Sequence, residues 1–192
     1  MTPWYKTRRA WAEAALILVA TAALVAVVFA ACAGDDASTD PSATSTTLDP
    51  DEAAEDEVRQ AYRDFLEMAF RIAEAPDPND PEIAQRATGD ARGRIEQSAA
   101  EDQARGVIAR GGPKDEQTIL TTTVTGDSAR LTVCYVDHSG VFDAVTGAEI
   151  EPMTITTSLS NIDLVQDAGV WKVSLVETQQ GKQWDGVHDC SE

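Results

Sequence analysis

The hydrophobic pattern divides the chain into three unlike parts. From Ala14 to Ala33 every residue is apolar or small except Thr21. A helix of about 20 such residues spans roughly 30 Å, the thickness of a bilayer's hydrocarbon core. Residues 33–50, AGDDASTDPSATSTTLDP, hold almost no large apolar side chain. That is the composition of a disordered tether, with a root-mean-square reach of roughly 20–25 Å. Beyond residue 50 the apolar positions recur with regular periods, and a folded domain is expected over residues 51–192.

Helical spacing comes first. Asp49 suits a cap, Pro50 the first helical position, and Glu52 completes a capping-box spacing. Val58, Tyr62, Phe65, Met68, Ala69, Ile72 and Ala73 then form an apolar stripe, which predicts an amphipathic helix ending at Pro76. Glu55/Arg59 and Glu67/Arg71 are spaced as i,i+4 pairs on its wet side. Asp80-Pro81-Glu82 opens a short second helix. A third follows Thr88-Gly89-Asp90 and ends near Gly106, with Ala91, Ile95 and Ala99 as a thin apolar face.

After Gly106 the period falls to two. Val107 to Ala109 begins a strand, and Thr118 to Thr125 is β-branched except at Leu120. Gly126-Asp127 is a two-residue hairpin signal. On the return, Ala129, Leu131, Val133 and Tyr135 share one face, and Cys134 and Val136 take the other. Residues 137–151 read as a long connection containing Gly140 and Thr146-Gly147. Met153, Ile155, Thr157 and Leu159 alternate, then the phase shifts to Ile162 and Leu164, which predicts a bulge near Ser160-Asn161. Trp171, Val173 and Leu175 face the core of the last strand. Three helices followed by four or five antiparallel strands define an α+β fold, with the helices on one face of a curved sheet.

Charge adds a location. Lys6, Arg8 and Arg9 precede the apolar run; Asp35, Asp36 and Asp40 follow it. The positive-inside rule puts the N-terminus in the cytoplasm and the rest outside, on the outer face of the cell membrane. Trp4, Tyr5 and Trp11 suit the near interface. Thr7-Arg8-Arg9 also resembles a twin-arginine export signal. Net charge is −18, and the chain after the apolar run carries most of the acid. Such a field repels phosphate backbones, so nucleic acid is not an expected partner.

Phe29-Ala30-Ala31-Cys32 resembles a bacterial lipobox: an apolar residue, two small ones, then a thiol able to form a thioether to diacylglycerol. Three outcomes stand side by side for residues 1–32. Cys32 is lipidated, or the helix over residues 14–33 is left uncut as a membrane anchor, or cleavage at Ala31-Cys32-Ala33 releases a soluble protein. Each places the domain outside the cytoplasm. In an oxidising compartment Cys134 and Cys190 are then an even pair, and a disulfide is expected. The competing zinc set of Cys134, His138, His188 and Cys190 is disfavoured, because two residues four apart in a strand lie about 13 Å apart. No metal or cofactor is expected.

The helical front end, the meandering strands and the closing Gly169-Val170-Trp171-Lys172-Val173 resemble the NTF2-like superfamily. More narrowly, the strand carrying Ala129, Cys134 and Asp137, the Thr146-Gly147 tip and the late Cys190 resemble its bacterial secreted or lipid-anchored branch. The resemblance implies a cone of about three helices packed on a curved antiparallel sheet. It also implies an interior pocket, for which Tyr62, Tyr135 and Trp171 are the candidate lining residues. No catalytic constellation is evident. Asp137 and His138 are adjacent and point to opposite faces of a strand, and Asp163 falls on the outer phase. Thr121 to Thr123 and Thr154 to Thr157 put hydroxyls on both faces, which a polar ligand could use. The expectation is a non-enzymatic, membrane-tethered module binding a small ligand or an envelope protein partner, the latter including a second copy of itself. An isomerase, dehydratase or hydrolase is one alternative, and an accessory subunit of an envelope transport complex is another.

Overall fold

The structure is a computed structural model, and it describes residues 50–111 and 116–190. The apolar run 14–33, Cys32 and most of the acidic tether lie outside them. Among the described residues no helix is long and apolar enough to cross a membrane.

The chain forms helices α1 (Pro50–Glu74), α2 (Pro81–Arg86) and α3 (Gly89–Arg105), then strands β1 (Val107–Gly111), β2 (Glu116–Thr125), β3 (Ser128–Asp143), β4 (Glu149–Asp167) and β5 (Val170–Asp185). All pairings between the named strands are antiparallel, in the order β1-β3-β4-β5, with β2 also on β3. β2 and β1 share one edge of β3. β2 lies against residues 128–136 and β1 against 139–143.

The α1 stripe does what its spacing predicts. Val58, Tyr62, Phe65, Met68 and Ile72 are buried against Ala129, Leu131, Val133, Ile162 and Leu164. Each large apolar side chain so buried contributes roughly 1.5–3 kcal/mol. α2 adds Ile83, and α3 adds Ala91, Ile95 and Ala99. Thr88 donates its N–H to the Val173 carbonyl at 2.8 Å, which ties the α2–α3 junction to the sheet. α3 ends at Gly106, whose left-handed backbone (φ 65°) lets its N–H reach the Asp102 and Gln103 carbonyls; a residue with a Cβ adopts that conformation at a cost.

Arg71 does not pair with Glu67 as its spacing suggests. Its guanidinium bridges Asp80 at 2.7 Å and Glu82 at 2.8 Å, pinning α1 to α2. The Arg71 hydrogen bond, with the Glu82 N–H behind it, holds the Asp80 carboxyl below the usual range.

Residues 137–151 are mostly strand rather than connection. β3 runs to Asp143, and the turn is confined to the residues up to Ala148, where Asp143 N–H meets the Ala148 carbonyl at 2.9 Å. Ser139, Val141 and Phe142 are buried there between β1 and β4. Gly140 is not a turn residue. A Cβ at this position would stand 3.0 Å from the Phe142 ring and 3.2 Å from the Glu151 carbonyl, so it marks close packing.

The phase shift after Leu159 has a cause other than a bulge in β4. Against β3 the register runs unbroken from Thr154 to Val165. The surplus residues sit on β5, between Thr178 and Gln183, opposite Ser158 and Ser160. The shift arises because the sheet is covered on both faces at different levels. Ile162 and Leu164 face the helices, whereas Thr157 and Leu159 face the C-terminal tail. That tail returns across the far side of the sheet. Gly186 N–H donates to the Ile155 carbonyl at 2.8 Å, the Thr157 hydroxyl donates to the Gly186 carbonyl at 2.8 Å, and His188 N–H donates to the Thr157 hydroxyl at 3.0 Å. A disulfide then joins Cys190 to Cys134, with Cα atoms 5.8 Å apart.

Leu175 also departs from expectation. A register irregularity at Ser174 puts Leu175 opposite Asp163, on the outer phase, and Val176 packs toward the core in its place.

Candidate functional site

Between α1 and the helix-facing side of the sheet lies a partly open cavity of about 70 Å³. On the same measure one water needs roughly 10–15 Å³, so there is room for a ligand of a few heavy atoms. α1 supplies one wall through Tyr62, Phe65, Leu66, Ala69, Phe70 and Ala73. The floor is the sheet: Val133, Tyr135 and Asp137 from β3, Ser158, Ser160 and Ile162 from β4, and Val176 and Thr178 from β5. Strand geometry dictates this set. Residues at i, i+2 and i+4 share a face, and antiparallel pairing lays Tyr135 beside Ser158 and Val133 beside Ser160.

Apart from the Tyr62 phenol, the α1 wall is apolar, and the remaining polar side chains are on the floor. The Ser160 hydroxyl donates to the Thr178 hydroxyl at 3.3 Å. Tyr62 is 3% exposed and stacks on Phe65, with ring centroids 6.4 Å apart. Burial drives its phenol pKa far above the ordinary tyrosine value, so it stays protonated. Asp137 is the one carboxylate in the lining. His138 lies on the opposite face, buried toward the tail side. A single carboxylate with phenols and hydroxyls makes a polar patch for orienting a ligand. It does not make an acid–base pair of two carboxylates.

Of the residues predicted from sequence, Tyr62 and Tyr135 line the cavity and Trp171 does not. Trp171 is 8% exposed within the hydrophobic core cluster. It sits at the hairpin end of β5, seven residues from Thr178, roughly 20 Å along a strand. Two residues of the threonine-rich stretches are committed elsewhere. Thr122 accepts a hydrogen bond from Arg59 Nε at 3.0 Å, and Thr157 is taken up by the tail. Asp163 is bridged at 2.6 Å by Arg130 on the outer surface. Cys134 and Cys190 are bonded to each other, which leaves neither as a thiolate ligand for zinc.

Sequence reading missed Phe70, Ser158, Ser160 and Thr178. The legible signal was at Ser158 and Ser160. They share the strand phase of Ile162 and Leu164, so two hydroxyls stand beside large apolar side chains on the helix-facing side. A cavity lined by such a phase is one reason to put them there.

No family model matches the sequence, and no curated protein is significantly similar to it. Solved structures do match. The intermembrane space region of the chloroplast protein ARC6 superposes with a TM-score of 0.50 at 15% identity, covering 63% of this chain and 95% of that one. The Kfla4162 protein of Kribbella flavida gives 0.45 at 15% identity, over 68% and 95% of the two chains. An NTF2-like protein with a cystatin-like fold from Novosphingobium aromaticivorans gives 0.39 at 20% identity, over 71% and 94%. At these identities the likeness is one of fold. Helices packed on one face of an antiparallel sheet are the arrangement expected from the sequence.

Proposed function

We propose that the protein is a tethered, extracytoplasmic, non-enzymatic module that binds a small, largely apolar molecule between α1 and the sheet. The observation that carries this reading is the cavity itself, with apolar walls from Phe65, Leu66 and Phe70 and a floor that mixes Val133, Ile162 and Val176 with the hydroxyls of Ser158, Ser160 and Thr178. Sites of that make-up bind through burial and orient through a few polar contacts.

Filling the cavity tests it. Benzyl alcohol titrated calorimetrically into the full chain in nanodiscs, with empty nanodiscs as reference, is expected to bind. Ala69→Trp is expected to weaken that binding by at least tenfold, which is about 1.4 kcal/mol. Equal affinity in the two proteins would overturn the site.

The tether rests on the apolar run and the lipobox-like Phe29-Ala30-Ala31-Cys32. Mass spectrometry of the mature N-terminus is expected to find a diacylglyceryl thioether on Cys32. An unmodified Cys32 in an uncut chain would transfer the anchoring role to residues 14–33. A second reading, an isomerase, dehydratase or hydrolase, is favoured only by Asp137 in the lining as a lone general base.

A further inference from the structure

We propose that the C-terminal tail is a redox-controlled strap behind the cavity floor, and that reduction of Cys134–Cys190 weakens ligand binding on the opposite face of the sheet. The inference rests on the binding role proposed above and names how that site is regulated.

The disulfide and the cavity use the two faces of the same short stretch of sheet. Cys134 lies between Val133 and Tyr135 in β3, and its cross-strand partner Leu159 lies between Ser158 and Ser160 in β4. Those flanking residues all line the cavity. Neighbouring residues of a strand point to opposite faces, so the bond to Cys190 stands directly behind the floor. Val136 and Leu159 are buried on that reverse side, where the Thr157 hydroxyl meets Gly186 and His188. β5 connects the two faces. It is an edge strand whose ladder to β4 is interrupted between Thr178, a lining residue, and Gln183. It then pairs Gln183 with Ser158, Trp184 with Thr157 and Asp185 with Thr156, and runs straight into the tail.

A dithiol opens the strap. One of its thiolates attacks a sulfur of the Cys134–Cys190 bond and forms a mixed disulfide. Its second thiol then displaces that bond, so the reagent leaves as a disulfide and Cys134 and Cys190 remain as thiols. Cys134 is half-buried and Val187, His188 and Asp189 are exposed, so the bond lies under a thin cover. Once it is broken, the ordering entropy of residues 186–190 is no longer offset by a covalent link. The tail leaves, Val136 and Leu159 meet water, and the final pairs of β5 fray, as edge segments with few buried contacts do. Ser158 loses its neighbour on β5, and Thr178 loses the anchorage beyond it. A ligand must then order the floor as it binds, which lowers its affinity. The coupling is reciprocal: a ligand that prefers the fastened form protects the disulfide by the same factor.

Calorimetry of benzyl alcohol on the full chain in nanodiscs, before and after reduction with dithiothreitol, tests the coupling. The disulfide form is expected to bind at least about fivefold tighter than the reduced form. Cys134→Ser combined with Cys190→Ser is expected to match the reduced form. In dithiothreitol redox buffers, saturating benzyl alcohol is expected to raise the ratio of reagent to its disulfide needed for half-reduction by that same factor, and Ala69→Trp to abolish the shift. Near-ultraviolet circular dichroism is expected to show that the helix–sheet core stays packed after reduction. Equal affinities of the two forms, a reduction midpoint indifferent to benzyl alcohol, or unfolding of the whole domain on reduction would overturn the regulation. In each of those cases, binding by the disulfide form and its weakening in Ala69→Trp would still support the cavity. Failure of benzyl alcohol to bind the disulfide form would overturn the regulation and the binding role together.

Discussion

Replacing Cys134 and Cys190 together with serine is expected to lower the unfolding free energy by about 4 kcal/mol, the largest effect of any substitution considered for this protein. The bond links residues separated by 56 positions, a span that contains β4, β5 and the tail. Cross-linking a loop of that length removes denatured-state entropy worth roughly 4 kcal/mol on the chain-entropy model. The native state also loses its hold on the tail. Residues 186–190 then keep the hydrogen bonds around Thr157 and Ile155 and the stack of His188 on Trp184, ring centroids 5.7 Å apart. Those give about 0.5–1.5 kcal/mol each, against a backbone ordering cost of about 1–2 kcal/mol per residue. The tail should therefore detach before the domain unfolds. Two readouts follow. The urea midpoint falls, and the amides of Gly186 and His188 lose protection from hydrogen exchange under native conditions. A variant whose midpoint and tail protection match those of the parent would show that the bond adds nothing to what the sheet already enforces.

That prediction grows from a feature only half legible in the sequence. The cysteine count and the expected outward topology were enough to pair Cys134 with Cys190. What the pair secures was hidden, because period-two reading assumes that a sheet buries one face along its whole length. Here the helices cover one side of Ile162 and Leu164, and the tail covers the other side of Thr157 and Leu159. A change in coverage and a bulge produce the same shift of phase in one dimension. Gly140 misled for a related reason. Glycine signals a turn in most contexts, yet here it lets the Phe142 ring and the Glu151 backbone approach.

The α1 stripe, its end at Pro76 and the hairpin at Gly126-Asp127 were read correctly, because each depends on neighbours within a turn or two. Arg71 and Leu175 were misplaced because their partners are set by the tertiary structure: Asp80 and Glu82 for one, the irregularity at Ser174 for the other. The cavity is less legible still. It is a volume that Tyr62, Phe65 and Ile162 leave unfilled, and a sequence records side chains but not the gaps between them. The resemblance offered Tyr62 and Tyr135 as lining residues, while the serines at 158 and 160, on the phase of Ile162 and Leu164, went unread.

Phe65→Ala is expected to cost about 3 kcal/mol, toward the lower end of the usual 3–5 kcal/mol for removing a buried phenylalanine. Phe65 is fully buried, belongs to the core cluster and forms part of the cavity wall. Its removal forfeits the transfer energy of the ring. It also adds the vacated space to the existing cavity of about 70 Å³. In a dry core that added space would be empty, with a penalty of about 24 cal/mol per Å³. This cavity opens to solvent and has hydroxyls of Ser160 and Thr178 on its floor, so water can occupy the enlarged space and find partners. Leu131, equally buried but not part of the cavity lining, supplies the comparison. Leu131→Ala leaves a void that stays dry, so a smaller side chain should cost as much as or more than the larger one. Urea titrations of the two variants at constant m-value give the ordering. If Phe65→Ala is the costlier by 2 kcal/mol or more, the space beside α1 is closed to water, and the access that ligand binding requires is absent.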